Sequence, residues 1–269
     1  MNKAIYRYEL RQRWPSVAIW VGSLTGLLLV FMSLFSSFTS DMAAMNQMLE
    51  NFPPEFKAVF SLNALDLATL EGYFGFCFIF CQLCLAIQAA NYGLSLISVE
   101  EAELTADFLL TRPVSRPTIL TSKLMAALSS LLITQILFWI ASLASISLFK
   151  GNADYDLKAI ALLLGSTVIF QLVFFSVGLL ISLVVRRMNS VTPWSLGLAF
   201  GTYVISAFSD VLGDVTLEYL SPFKHFDAGT IIRELQYDLP LVLLDVVLIL
   251  VAVGLSYWLY QKRDIASPS

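Results

Sequence analysis

LEGYFGFCFIFCQLCLAIQAANYGLSLISV, residues 70–99, carries one charged group, Glu71, and none at all from Gly72 to Val99. A helix crosses the hydrocarbon of a bilayer with about 20 predominantly apolar residues. This stretch exceeds that length and predicts a membrane-spanning helix. Working outward, five further stretches have the same character: Val17–Phe38, Ile119–Phe149, Leu157–Val185, Val191–Leu212 and Leu239–Tyr260. The composition agrees, with 58% hydrophobic and 13% charged residues against about a quarter charged in a soluble domain. The sequence predicts an all-α membrane protein of six transmembrane helices, with 1–269 forming a single domain. No tandem repeat and no Pro/Gly/Ser linker divides it.

The basic residues give an orientation. Lys3, Arg7, Arg11, Arg13, Arg112, Arg116, Lys123, Arg186, Arg187, Lys262 and Arg263 fall on one side of the six spans. Lys57, Lys150, Lys158, Lys224 and Arg233 fall on the other. The excess of Lys and Arg marks the cytoplasmic side, so both termini are expected there and the loops 39–69 and 213–238 outside. Residues 1–14 mix Ile5, Tyr6, Leu10 and Trp14 with basic residues and end at Pro15. They are expected to form a short interfacial helix on anionic lipid. The apolar outer stretch with Tyr219–Pro222, Phe223, Phe226, Ile231 and Ile232 is expected to form short helices that dip into the outer leaflet or cap the bundle. The net charge of −4 and the lack of a basic stripe with interleaved aromatics argue against nucleic acid as a partner. Cys77, Cys81 and Cys84 share one apolar helix, which cannot easily bridge its own turns. They read as packing residues, with no metal expected.

Directly after the opening stretch the chain reads EEAELTADFLLTRPVSR, residues 100–116, and continues to Lys123. Three carboxylates, Glu100, Glu101 and Glu103, stand at the end of a span. Leu104, Phe108, Leu109 and Leu110 then give a short apolar face beside Asp107, before Arg112, Pro113, Ser115 and Arg116. A plain connecting loop accounts for the basic residues but gains nothing from an exposed Leu-Leu pair. A docking surface for a cytoplasmic partner accounts for both.

This segment resembles the corresponding loop of ABC-2 type permeases. The resemblance is carried by Glu101, Thr105, Leu109, Leu110, Pro113, Ser115, Arg116 and Lys123; Leu104 stands where that family has glycine. Ser221-Pro222-Phe223 resembles the family's S-P-F before the last span, and Lys262-Arg263-Asp264 its basic ending. The resemblance implies the six-span permease subunit of a bacterial ABC exporter, in the cell membrane. Two permeases, identical or homologous, would form the pathway, and two separate ATPase subunits would dock on residues 100–116. The chain has no G-x-x-x-x-G-K-[ST] motif, so ATP and Mg are expected on the partner and no cofactor on this chain.

Within the spans, Gly22/Gly26 and Gly197/Gly201 are G-x-x-x-G pairs. Such pairs let helix backbones approach closely in lipid, either between two subunits or within one. Gln82, Gln88, Asn91 and Asp245 are candidates for the pathway, since polar groups in hydrocarbon face a bundle interior or a cavity. Asp245 lies near the outer boundary and could instead reach up to it. Two rival readings follow from the same residues. An intramembrane serine protease would draw on Ser95 and His225, but the predicted topology sets them at opposite ends of a core about 30 Å thick. An ion-coupled secondary transporter would need midplane ion sites, for which Asp245 is the acidic candidate.

Overall fold

The computed structural model describes residues 1–40, 51–53, 57, 65–102, 114–185, 188, 190–212 and 215–262, with residues 38–40, 99–102 and 215 described by their backbone alone. The described residues form helices α1 (Lys3–Ser33), α2 (Phe35–Ser40), α3 (Leu70–Ala102), α4 (Arg116–Phe149), α5 (Leu157–Val184), α6 (Thr192–Leu212), α7 (Val215–Glu218), α8 (Pro222–His225), α9 (Ala228–Glu234) and α10 (Leu239–Lys262). Six of them, α1, α3, α4, α5, α6 and α10, are long and apolar enough to cross a membrane. They coincide with the six stretches read from the sequence.

Local chemistry sets the helix starts. Asn2 caps α1 by accepting from the Ala4 amide at 2.9 Å, and Asp156 caps α5 by accepting from Lys158 at 2.7 Å. A side-chain oxygen there satisfies an amide that the helix itself leaves unpaired. Pro117, Pro193 and Pro240 each stand second in α4, α6 and α10, where a missing N–H costs nothing.

One difference from the sequence reading concerns Pro15. A separate helix over 1–14 was expected to end there, yet α1 runs through Pro15 without interruption. A proline inside a helix forfeits one backbone hydrogen bond. Contacts along α4 offset that loss: the Asn2 amide donates to Ser122 Oγ at 2.7 Å, and the Tyr6 hydroxyl meets Ser129 Oγ at 3.0 Å.

Helix α3 is the centre of the bundle. In its most apolar window 72% of residues are buried, against 22%, 17% and 17% for α1, α6 and α10. Its main partner is α5, and the two approach most closely where Gly93 faces the Phe175 carbonyl and Gly178 faces the Ala90 carbonyl. Around this pair, Phe74, Phe78, Cys77, Cys81, Phe170 and Phe174 fill the core. On the outside, Leu243, Val247, Leu250 and Trp258 of α10 and Phe200, Val204 and Phe208 of α6 are exposed. Apolar surface of that extent needs lipid or another apolar surface against it.

The two ends of the bundle differ in kind. One end gathers Asn2, Ser122, Leu96, Arg116 and Gln261 through hydrogen bonds, and it is the end rich in basic residues. The opposite end ties α3 to the start of α5, where Glu71 accepts from the Asp156 amide. It also ties the segment 221–237 to the bundle, through Gln82 to the Phe226 carbonyl and Tyr237 to the Leu162 carbonyl.

Candidate functional site

The segment 100–116 begins as the last turn of α3 and ends at the first turn of α4. Glu100 and Glu101 belong to the helical backbone of α3. Glu103, Leu104, Thr105, Asp107, Phe108, Leu109, Leu110, Arg112 and Pro113 lie outside the described residues. The far flank is held closely. Ser115 caps α4 in an extended conformation, with its hydroxyl 2.8 Å from Thr118 Oγ1. Arg116 Nη1 donates to the Gln261 carbonyl at 3.4 Å, and Thr121 Oγ1 meets the Tyr257 hydroxyl at 2.9 Å. The start of α4 is thereby fastened to the end of α10.

Lys123 is the keystone of this end. Its side chain is 3% exposed. It donates to the Leu96 carbonyl at 3.0 Å and lies 3.2 Å from Glu9 Oε1. Glu9 also meets Arg13 at 3.6 Å, one helical turn on. The Arg13 guanidinium sits 5.2 Å from the centre of the Tyr92 ring, and the Tyr92 hydroxyl donates to Ser16 Oγ at 3.0 Å. A charge so deeply buried is retained only when paired and hydrogen-bonded. The cluster joins α1, α3 and α4 at the point from which the segment 100–116 departs. Lys123 was singled out from sequence; Glu9, Arg13 and Tyr92 were not. The one available signal was a lone acid, Glu9, set among basic residues four positions before Arg13.

At the opposite end, α7, α8 and α9 seat the segment 215–234 against the bundle. Phe223 packs its ring 5.0 Å from Phe170, 5.8 Å from Phe174 and 5.4 Å from Tyr203. Ser221 donates to the Thr202 carbonyl at 2.8 Å, and Lys224 pairs with Asp210. His225 is buried, with Nδ1 2.9 Å from Asp245 Oδ1 and Nε2 3.0 Å from the Glu218 carbonyl oxygen. His225, in the segment read from sequence as an outer loop, is therefore held by partners, and Asp245 beside it is fully buried. Ser95 donates to the Tyr92 carbonyl near the basic end, so Ser95 and His225 belong to opposite ends and the protease reading loses its geometry. Tyr237 closes this region with its hydroxyl on Leu162, and burial pushes its phenol up.

Four of the intramembrane amides, Gln82, Gln88, Gln135 and Gln171, donate hydrogen bonds within the subunit. Gln82 donates to the Phe226 carbonyl at 3.0 Å, and Gln88 to Thr134 Oγ1 at 3.0 Å. Gln171 donates to Gln88 Oε1 at 3.4 Å, and Gln135 donates to Thr167. Asn91 is half-buried on α3. Gly22, Gly26, Gly197 and Gly201 behave differently from Gly93 and Gly178. All four are exposed, and a Cβ built on any of them meets no described atom within 4 Å. Packing among the described residues of the subunit does not explain these G-x-x-x-G pairs.

A family model described as ABC-2 family transporter protein matches residues 3–265. No curated protein matches the chain. With a match over nearly its whole length, on six apolar helices of the expected order, the chain belongs to the ABC-2 transporter family as a permease-type membrane component.

Proposed function

We propose that this permease works as one of a pair in an ATP-driven exporter, with one separate ATPase subunit docked on residues 100–116 of each copy. The observation that carries this reading is the family match over residues 3–265, because members of such a family move solutes with ATPase partners. The geometry supports it at two places. Lys123, Glu9 and the Leu96 carbonyl lock α1, α3 and α4 together where the docking segment begins and ends. A push on that segment therefore reaches three spans at once. The exposed faces of α1 and α6, with Gly22, Gly26, Gly197 and Gly201, suit close packing against a second permease. The burial of Gln82, Gln88 and Asp245 in contacts within the subunit favours a pathway between two copies over one through a single bundle. ATP and Mg belong to the partner in this scheme.

The scheme needs the segment 100–116 in the cytoplasm of a bacterial cell, with both termini there and the segment 215–234 outside. The distribution of Lys and Arg supports that orientation. Single cysteines at Ser115 and Tyr219, in a cysteine-free chain, test it with an impermeant thiol reagent on intact cells. Tyr219→Cys is expected to label and Ser115→Cys to stay protected. The reverse pattern would remove the docking segment from the ATPase and end this reading.

A further inference from the structure

Both nitrogens of the His225 ring face oxygen: Nε2 the Glu218 carbonyl at 3.0 Å, Nδ1 the Asp245 carboxyl at 2.9 Å. A carbonyl oxygen only accepts, so Nε2 carries a hydrogen. The second contact then requires one more proton, either on Nδ1 or on the carboxyl of Asp245. The two arrangements, imidazolium with carboxylate and imidazole with carboxylic acid, are the same state with one shared proton. Removing that proton leaves a neutral ring with one N–H for two acceptors, and one of the two contacts becomes lone pair against lone pair. Asp245 adds to the demand. It is fully buried, and among the described residues its Oδ2 has no hydrogen-bond partner. A bare carboxylate in that position is costly.

The neighbours do not supply the charge that would replace the proton. On α6, Asp210 is already paired with Lys224 of α8, and Tyr203 packs on Phe223. On α5 no residue after Lys158 is titratable, and Lys158 is exposed at the helix start. On α10 the acid that faces the ring is Asp245 itself. Glu218 of α7 offers its carbonyl oxygen. Asp227, which caps α9, accepts from the Thr230 amide and hydroxyl at 2.8 and 2.9 Å.

We propose that His225 and Asp245 form a proton-binding site that latches the segment 215–234 onto α10, closed when the shared proton is bound and loosened when it is lost. The inference does not depend on what the protein transports or in which direction. Its sign follows from linkage. A neutral imidazole and a carboxylate hold one hydrogen fewer between them than the closed pair needs, so closure takes up a proton wherever the open pair lacks it, and the latch weakens as pH rises.

The test uses the full-length chain in lipid nanodiscs, where both ends are accessible, with Cys77, Cys81 and Cys84 replaced by alanine. Ala228→Cys reports on the seated segment, since Ala228 is 1% exposed. Tyr219→Cys, at an exposed position, corrects for the intrinsic pH dependence of thiol labelling. The ratio of the two labelling rates is expected to rise at least about tenfold between about pH 6 and about pH 9. Asp245→Asn is expected to keep the ratio low and flat. Its amide N–H donates to His225 Nδ1 while Nε2–H still serves Glu218, so both bonds survive without a titrating proton. His225→Ala is expected to give a high ratio at both pH values. A flat ratio with the native pair, or the same rise in Asp245→Asn, would overturn the proposal. Should His225→Ala fail to accumulate, the pH series and Asp245→Asn decide the matter alone.

Discussion

Gly93→Leu is expected to abolish the folded subunit, while Gly22→Leu and Gly201→Leu leave it intact. A Cβ built on Gly93 would lie 2.1 Å from the Phe175 carbonyl oxygen and 2.8 Å from the Leu179 amide nitrogen. Both obstacles are backbone, so no rotamer change relieves the clash. The counterpart Gly178 is also constrained, though less tightly, with a Cβ 2.7 Å from the Ala90 carbonyl oxygen. Any side chain at either position must push α3 away from α5, and α3 is the helix on which the bundle is assembled. Overpacking a core costs about 1–3 kcal/mol when side chains can adjust; with backbone on both sides the cost exceeds that range. At Gly22 and Gly201 a side chain enters open space. Size-exclusion profiles of tagged variants in mild detergent give the readout. Gly93→Ala is expected to reduce the monodisperse peak and Gly93→Leu to remove it. A wild-type profile for Gly93→Leu would contradict the α3–α5 packing described above.

Lys123→Met is expected to be strongly damaging at the basic end although it leaves side-chain volume nearly unchanged. It removes the ammonium from Glu9 and from the Leu96 carbonyl. Breaking a buried pair by removing one partner costs about 3–5 kcal/mol, mostly because the other charge stays behind. Glu9→Gln keeps a hydrogen-bonding group against Lys123 and Arg13 but leaves both cations without their counter-charge, so a cost in the same range is expected. The double variant Glu9→Gln/Lys123→Met is expected to be less damaged than the sum of the two, since each single change already breaks the Glu9–Lys123 contact. Thermal melts in detergent, read as residual monodisperse protein, provide the comparison. Strict additivity would mean that Glu9 and Lys123 do not act on each other.

The six spans were legible because each is a long run nearly free of charge, and the sequence places the starts at Leu70, Leu157 and Leu239 where the structure does. What misled at Pro15 was a local rule. Proline predicts a helix boundary, but packing along α4 through Asn2, Tyr6 and Glu9 outweighs one missing hydrogen bond. The polar pairs were hidden for a different reason. His225 and Asp245 stand twenty residues apart, one in a segment read as loop and one in a span, and no periodicity links them. Lys123 could be picked out by its place in a motif, yet its partner Glu9 lies on another helix with no sequence spacing to announce it. Likewise the G-x-x-x-G spacing drew attention to the glycines at 22, 26, 197 and 201, while those at 93 and 178 carry no such spacing. Only the packing separates those that seat a neighbouring backbone from those that face outward.

The central claim is that residues 100–116 dock an ATPase. Affinity purification of the tagged chain from native membranes, at matched expression of each variant, measures it most directly. Apolar side chains buried in a docking surface contribute about 1.5–3 kcal/mol each, whereas exposed ion pairs contribute about 0–1 kcal/mol. The wild-type chain is therefore predicted to recover a separate ATPase. Leu109→Asp and Leu110→Asp are predicted to lose it, while Glu103→Ala retains most of it. Recovery of the wild-type chain alone, in detergent that preserves other ABC complexes, would contradict the account, as would undiminished recovery of the ATPase with both leucine variants.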